Sequence, residues 1–184
     1  KYGINKNKIA IAGDSSGGNY AAALALKARD EGIPMVAMEV LIYPAVDMNN
    51  LTVKGFDWSE SLESVYGISK DLIKQLERMG ITSENVIESI LQSYLPSPEL
   101  INDPYVSPTK ASSFKNLPKT IIVTAESDIL RYQGEYYAKQ LQDDEVDVTC
   151  YRYSGMEHAF YYRLGIIPQS EDLVNIIVDA MKEL

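Results

Sequence analysis

The stretch KIAIAGDSSGGNYAAALALKAR, residues 8–29, constrains this chain more than any other. A short apolar run, 8–13, ends at Gly13 and reads as a buried strand. An Ala- and Leu-rich run from Asn19 to Arg29 reads as a helix, stopped by Gly32-Ile33-Pro34. Between them lies Gly13-Asp14-Ser15-Ser16-Gly17, a match to G-x-S-x-G. The pattern has a steric reason. A serine on a sharp strand-to-helix turn needs small flanking residues so that strand and helix can approach closely. Its hydroxyl is then exposed at the positive end of the helix, where developing negative charge is favoured. The Ser16 amide can face that charge, and Asp14, Ser16 and Gly17 form the candidate oxyanion and substrate-binding set. Two other readings fit the pentapeptide taken alone: a phosphate-holding helix N-terminus, and a turn without function. The glycine spacing matches neither G-x-x-x-x-G-K-[ST] nor G-x-G-x-x-G.

Three more apolar runs read as strands: 35–46, 119–128 and 146–155. Helical patterns follow at 131–142, with Tyr137, Ala138 and Leu141 on one face, and at 171–183, with Ser170 as its cap. Strands alternating with helices imply an α/β fold, a parallel sheet flanked by helices. The stretch 47–107 interrupts that rhythm with amphipathic segments at 69–79 and 83–94, preceded by Phe56 and Trp58. We read one domain over 1–184 with a helical insertion at 47–107, set either over a site or against the side of the sheet. A net charge of -9 makes nucleic acid and anionic membrane poor partners. No apolar run approaches the roughly 20 residues that span a bilayer. One cysteine and one histidine exclude an intrachain disulfide and argue against a His/Cys zinc site. The single cysteine fits a reducing, cytoplasmic compartment.

A serine nucleophile needs a base, and the base needs an orienting acid. His158 is the sole histidine, in the Gly-containing segment SGMEHAF that follows the fourth strand. Ser15 and His158 both fall at strand C-terminal ends, where parallel α/β sheets place their sites. The candidate acids are Asp128, Glu126 and Asp47. Asp128 ends the third strand and completes the chain order Ser, Asp, His. It can equally cap the helix over 131–142. Asp47 ends the second strand and is a rival. Glu126 lies lower in its strand and suits lining or a structural role.

These residues resemble the hormone-sensitive-lipase-like branch of the α/β-hydrolases over nearly the whole chain. GDSSGGN is similar to that family's elbow, G-D-S-A-G-G, and LIYPAVD (41–47) to the strand after it. YLPSPELINDPYVSPTKA (94–111) is similar to its Asp-Pro-x-x-Ser-Pro segment. AESDILRYQGEYYAKQL (125–141) resembles its acid segment, and YSGMEHAF its histidine segment. The resemblance implies Ser15 as nucleophile, His158 as base and Asp128 as acid. It implies a serine carboxylesterase or lipase acting on small acyl esters of short to medium chain, with no cofactor and no metal. A peptidase or amidase with the same triad, and a catalytically silent interaction module, are the alternatives. The resemblance also implies a homodimer through the last strand, with Tyr151 and Tyr153 there; packing of both against the C-terminal helix is the other reading. Ser16 departs from the family's Ala, Ile129 from its Pro, and Tyr132-Gln133 from its Asp-Glu. The family's upstream H-G-G-G loop has no counterpart in this sequence. The expectation is therefore a C-terminal portion of an esterase, weak or inactive as this chain alone.

Overall fold

The computed structural model describes residues 3–5, 7–33, 36–50, 69–78, 89 and 91–184. In chain order the regular elements are β1 (Ala10–Asp14), α1 (Ser16–Asp30), β2 (Met38–Ile42), α2 (Lys70–Arg78), β3 (Lys119–Ser127), α3 (Arg131–Asp143), β4 (Val148–Glu157) and α4 (Pro168–Lys182). The strands form one parallel sheet in the order β1-β2-β3-β4, so all four C-terminal ends lie along one edge. This is the α/β architecture that the alternating pattern implies.

Strand alternation sends side chains to both faces, and each face has its own core. Leu41 and Ile122 face one way and pack with Ala22 and Leu26 of α1 and Tyr137 and Leu141 of α3. Val40, Ile42, Ile121 and Val123 face the other way and pack with Phe160 and with Leu173 of α4. Every residue of β2 is buried, as a central strand covered on both faces requires. β4, at the edge, is mostly exposed.

Several boundaries differ from those read in the sequence, each for a local reason. α1 begins at Ser16, three residues before Asn19, because the helix starts directly after the serine. β2 ends at Ile42 rather than at Val46: Tyr43 turns to φ 36° and Pro44 has no N–H for a ladder. β4 runs on to Glu157, with an irregular register beside Ala125–Ser127. α4 starts at Pro168, so Ser170 lies inside the helix and is not its cap. The Ser170 hydroxyl instead donates to the Phe160 carbonyl (2.8 Å) and ties α4 to the turn after His158.

Helix α2 forms where an amphipathic segment is read at 69–79. Phe56, Trp58 and most of 83–94 lie outside the described residues. Tyr153 packs against Phe160, with ring centroids 5.0 Å apart, and donates to Asp172 of α4 (2.7 Å). Tyr151 is part-exposed on the same strand. Among the described residues no helix is long and apolar enough to cross a membrane.

Candidate active site

Ser15 joins the end of β1 to the start of α1 at φ 56° and ψ −118°, a backbone conformation rare for a residue with a side chain. Close packing holds it there. A Cβ on Gly13 would lie 2.1 Å from the Gly17 carbonyl oxygen, so only glycine fits before the turn. A Cβ on Gly18 would lie 2.7 Å from Pro44 Cβ, so α1 crosses directly over the end of β2. A Cβ on Gly17, by contrast, would meet only Asp14 Oδ1, at an ordinary contact distance of 4.0 Å. Two hydrogen bonds brace the serine from the end of β2 and the turn after it: its N–H donates to the Ile42 carbonyl (2.9 Å), and its carbonyl accepts from the Ala45 N–H (3.1 Å).

The fold brings Ser15, His158 and Asp128 into one hydrogen-bonded line. His158 Nε2 lies 2.9 Å from Ser15 Oγ, and His158 Nδ1 lies 2.7 Å from Asp128 Oδ2. With Asp128 accepting, Nδ1 carries the proton and Nε2 is free to accept from the serine hydroxyl. The Asp128 side chain is fully buried, and its other oxygen accepts from the Leu130 N–H (2.8 Å). Asp128 therefore shapes the turn before α3 and holds the imidazole as well. The side-chain cap for that helix does not form, since its cap position is Leu130.

The rival acids point to other partners. Asp47 pairs with Lys110 (2.9 Å) and accepts from the Asn49 N–H (3.1 Å), while its own N–H donates to Gln133 Oε1 (2.7 Å). Glu126 accepts from the Gly155 N–H (2.7 Å) and so shapes the stretch that leads to His158. Asp14 accepts from the Tyr162 hydroxyl (2.7 Å), which bridges the Ser15 turn to the loop after His158. That bond raises the Tyr162 phenol above its ordinary pKa.

Ser16, first in α1, lines a cleft of about 380 Å³ with Asn19, Tyr20, Met48, Ser93 and Tyr94. Asn19 is buried and holds this wall together. Its amide donates to the carbonyls of Ala45 (2.7 Å) and Val106 (2.8 Å), and its oxygen accepts from the Tyr94 hydroxyl (2.9 Å). Asn19 and Tyr162 carry no sequence signal of their own, because their partners are 26 to 148 residues away. Among the described residues, no group of three or more His, Cys, Asp or Glu side chains is placed to hold a metal ion.

A serine at φ 56° between strand and helix, at the sheet edge that also carries a bonded His–Asp pair, defines an α/β protein with a sharp G-x-S-x-G strand-to-helix turn. The family described as alpha/beta hydrolase fold matches residues 1–162, and this chain belongs to it, in the hormone-sensitive-lipase-like branch. An arylesterase of Saccharolobus solfataricus is 32% identical over 185 residues, covering 97% of this chain and 51% of the relative. Carboxylesterase NlhH of Mycobacterium tuberculosis is 28% identical, covering 98% and 52%. The structure of a hyperthermophilic esterase from Pyrobaculum calidifontis matches with TM-score 0.77 at 34% identity, covering 98% of this chain and 53% of that one. The chain spans about half the length of the relatives it matches.

Proposed function

We propose that this chain carries the Ser-His-Asp machinery of a carboxylic ester hydrolase. The observation that carries the reading is the line Asp128–His158–Ser15, with separations of 2.7 and 2.9 Å, ending on a serine at a helix N-terminus. Ser15 Oγ attacks the ester carbonyl as His158 Nε2 takes its proton. The imidazolium is stabilised by Asp128 and returns that proton to the leaving alcohol. Water then releases the acyl group by the same route in reverse. The Ser16 N–H, at the start of α1, is the oxyanion donor this segment supplies. The cleft beside it suits a short to medium acyl chain, and 47–107 contributes Met48, Ser93 and Tyr94 to its wall. That contribution favours reading 47–107 as an insertion that shapes access.

The test is hydrolysis of p-nitrophenyl acetate and butyrate, with fluorophosphonate labelling in parallel, by the chain and by Ser15→Ala. Labelling of the parent chain that vanishes in Ser15→Ala is the expected outcome. A folded chain that takes no label overturns the reading for this chain. Turnover of an anilide at a rate matching the ester would move the substrate class from esters to amides.

A further inference from the structure

Tyr43 is a fully buried residue in the left-handed region, at φ 36°, a conformation that bulky side chains seldom adopt. Its surroundings impose that conformation. The Tyr43 N–H donates to the Val123 carbonyl (2.6 Å), which keeps it on the end of the sheet. The next residue, Pro44, is wedged between two glycines: Gly18 of α1, and Gly134 of α3, whose Cβ would meet Pro44 Cδ at 3.5 Å. The neighbours on either side, Ile42 and Ala45, make the two backbone hydrogen bonds that hold Ser15. Two strained residues, one from each of two adjacent strand ends, thus brace each other.

The side chain of Tyr43 reaches the third partner. Its ring lies against the His158 imidazole, with centroids 4.7 Å apart and planes tilted by 57°. Phe160, two residues beyond the histidine, meets the same ring edge-on at 5.8 Å. The Tyr43 hydroxyl is buried and has no hydrogen-bond partner among the described residues. An unpaired buried hydroxyl opposes folding, so the ring, and not the oxygen, accounts for the tyrosine's place here.

We propose that Tyr43 is a positioning residue whose ring sets the plane of the His158 imidazole between Ser15 and Asp128, while its backbone bracket holds Ser15 in register. The inference rests on the reading of His158 as the base. Its test does not need turnover, because His158 is the only histidine in the sequence and its ring nitrogens give a single NMR signature. The wild-type chain should show a nuclear Overhauser effect between the rings of Tyr43 and His158, and a low-field Nδ1 proton from the Asp128 bond. Tyr43→Phe should keep both, with labelling of Ser15 within about twofold, because the ring is retained. Tyr43→Leu, and Tyr43→Met should the leucine variant not fold, should lose the low-field proton. Their labelling should slow by about 10- to 100-fold, the scale of a small misplacement of a catalytic group. A folded leucine or methionine variant with an unchanged imidazole spectrum and titration midpoint overturns the proposal. So does the absence of the ring-to-ring effect in the wild type, or a phenylalanine variant as impaired as the leucine one. A wild-type chain that takes no label while its imidazole spectrum responds as expected overturns only the ester-hydrolase reading.

Discussion

Asp128 and Glu39 are both buried carboxyls, and their surroundings treat them differently. Asp128 has the His158 imidazole and the Leu130 N–H. Glu39, in the middle of β2, has no hydrogen-bond partner for either oxygen among the described residues. Its burial pushes the carboxyl up to about 8, against a smaller lowering by the Thr120 hydroxyl, which already donates to the Pro118 carbonyl (2.9 Å). At neutral pH the folded chain therefore holds a proton on Glu39 that the unfolded chain releases. The sign follows from that difference. The contribution of Glu39 to stability is fully present below the ordinary carboxylate value of 4.5, falls as pH rises toward about 8, and then levels. Each unit of the displacement is worth about 1.4 kcal/mol. Glu39→Gln should flatten that slope and make the chain more stable than wild type at pH 8 in thermal unfolding. Parallel curves from pH 5 to pH 8 for the two proteins would show that Glu39 is hydrated or paired in solution.

At the scale of elements, the contact of α1 with the ends of β1 and β2 sets the geometry of the turn. Gly13 and Gly18 are the points of close approach, and Gly17 is not. Three alanine substitutions separate these roles. Gly13→Ala places a carbon on the Gly17 backbone at 2.1 Å, and Gly18→Ala places one on Pro44 at 2.7 Å. Each should destabilise by about 1–3 kcal/mol and slow the labelling of Ser15. Gly17→Ala meets only Asp14 Oδ1, at 4.0 Å. It should fold as well as wild type or gain up to about 1 kcal/mol, since alanine suits a helix better than glycine. Equal losses from all three would mean that general helix packing, and not the turn, sets the cost. The existence and type of these elements were legible in the sequence, because apolar periodicity and Gly/Pro punctuation are local signals. Their ends were less so. The helix N-terminus at Ser16 and the strand stop at Ile42 follow from how α1 crosses Pro44, a contact between residues far apart in the chain.

Across the whole molecule, Asn19 joins α1 to segments 26, 75 and 87 residues away. It is 1% exposed, and both ends of its amide are used. Asn19→Ala would strand the Ala45 and Val106 carbonyls and the Tyr94 hydroxyl. A loss of about 1–3 kcal/mol is expected for each group left buried and unpaired. Thermal unfolding reads the loss, and a change confined to a few tenths would mean that water replaces the amide. The wall of the cleft beside Ser16 depends on the same three bonds, so on the proposed ester-hydrolase reading the acetate-to-butyrate ratio should shift with stability in this variant.

The sequence by itself determined the parallel α/β class, the strand-to-helix turn at Ser15, and the order in which a serine, an acid and a histidine occur. Those properties are carried by residues near one another in the chain: an apolar run, a glycine, a short loop. It favoured Asp128 over Asp47 and Glu126 as the partner of His158 by chain order and resemblance, without a distance between them, and it read Tyr43 as one more apolar strand residue. Only the tertiary structure decided these. Asp128 meets the imidazole because β3 ends beside β4 in parallel register, while Asp47 is drawn to Lys110 and Glu126 to the Gly155 amide. Tyr43 reaches His158 because Pro44 is clamped between two helices that the chain forms more than a hundred residues apart. Hydrogen-bond choice among equal side chains depends on distance and burial, and those exist only once the layers have packed.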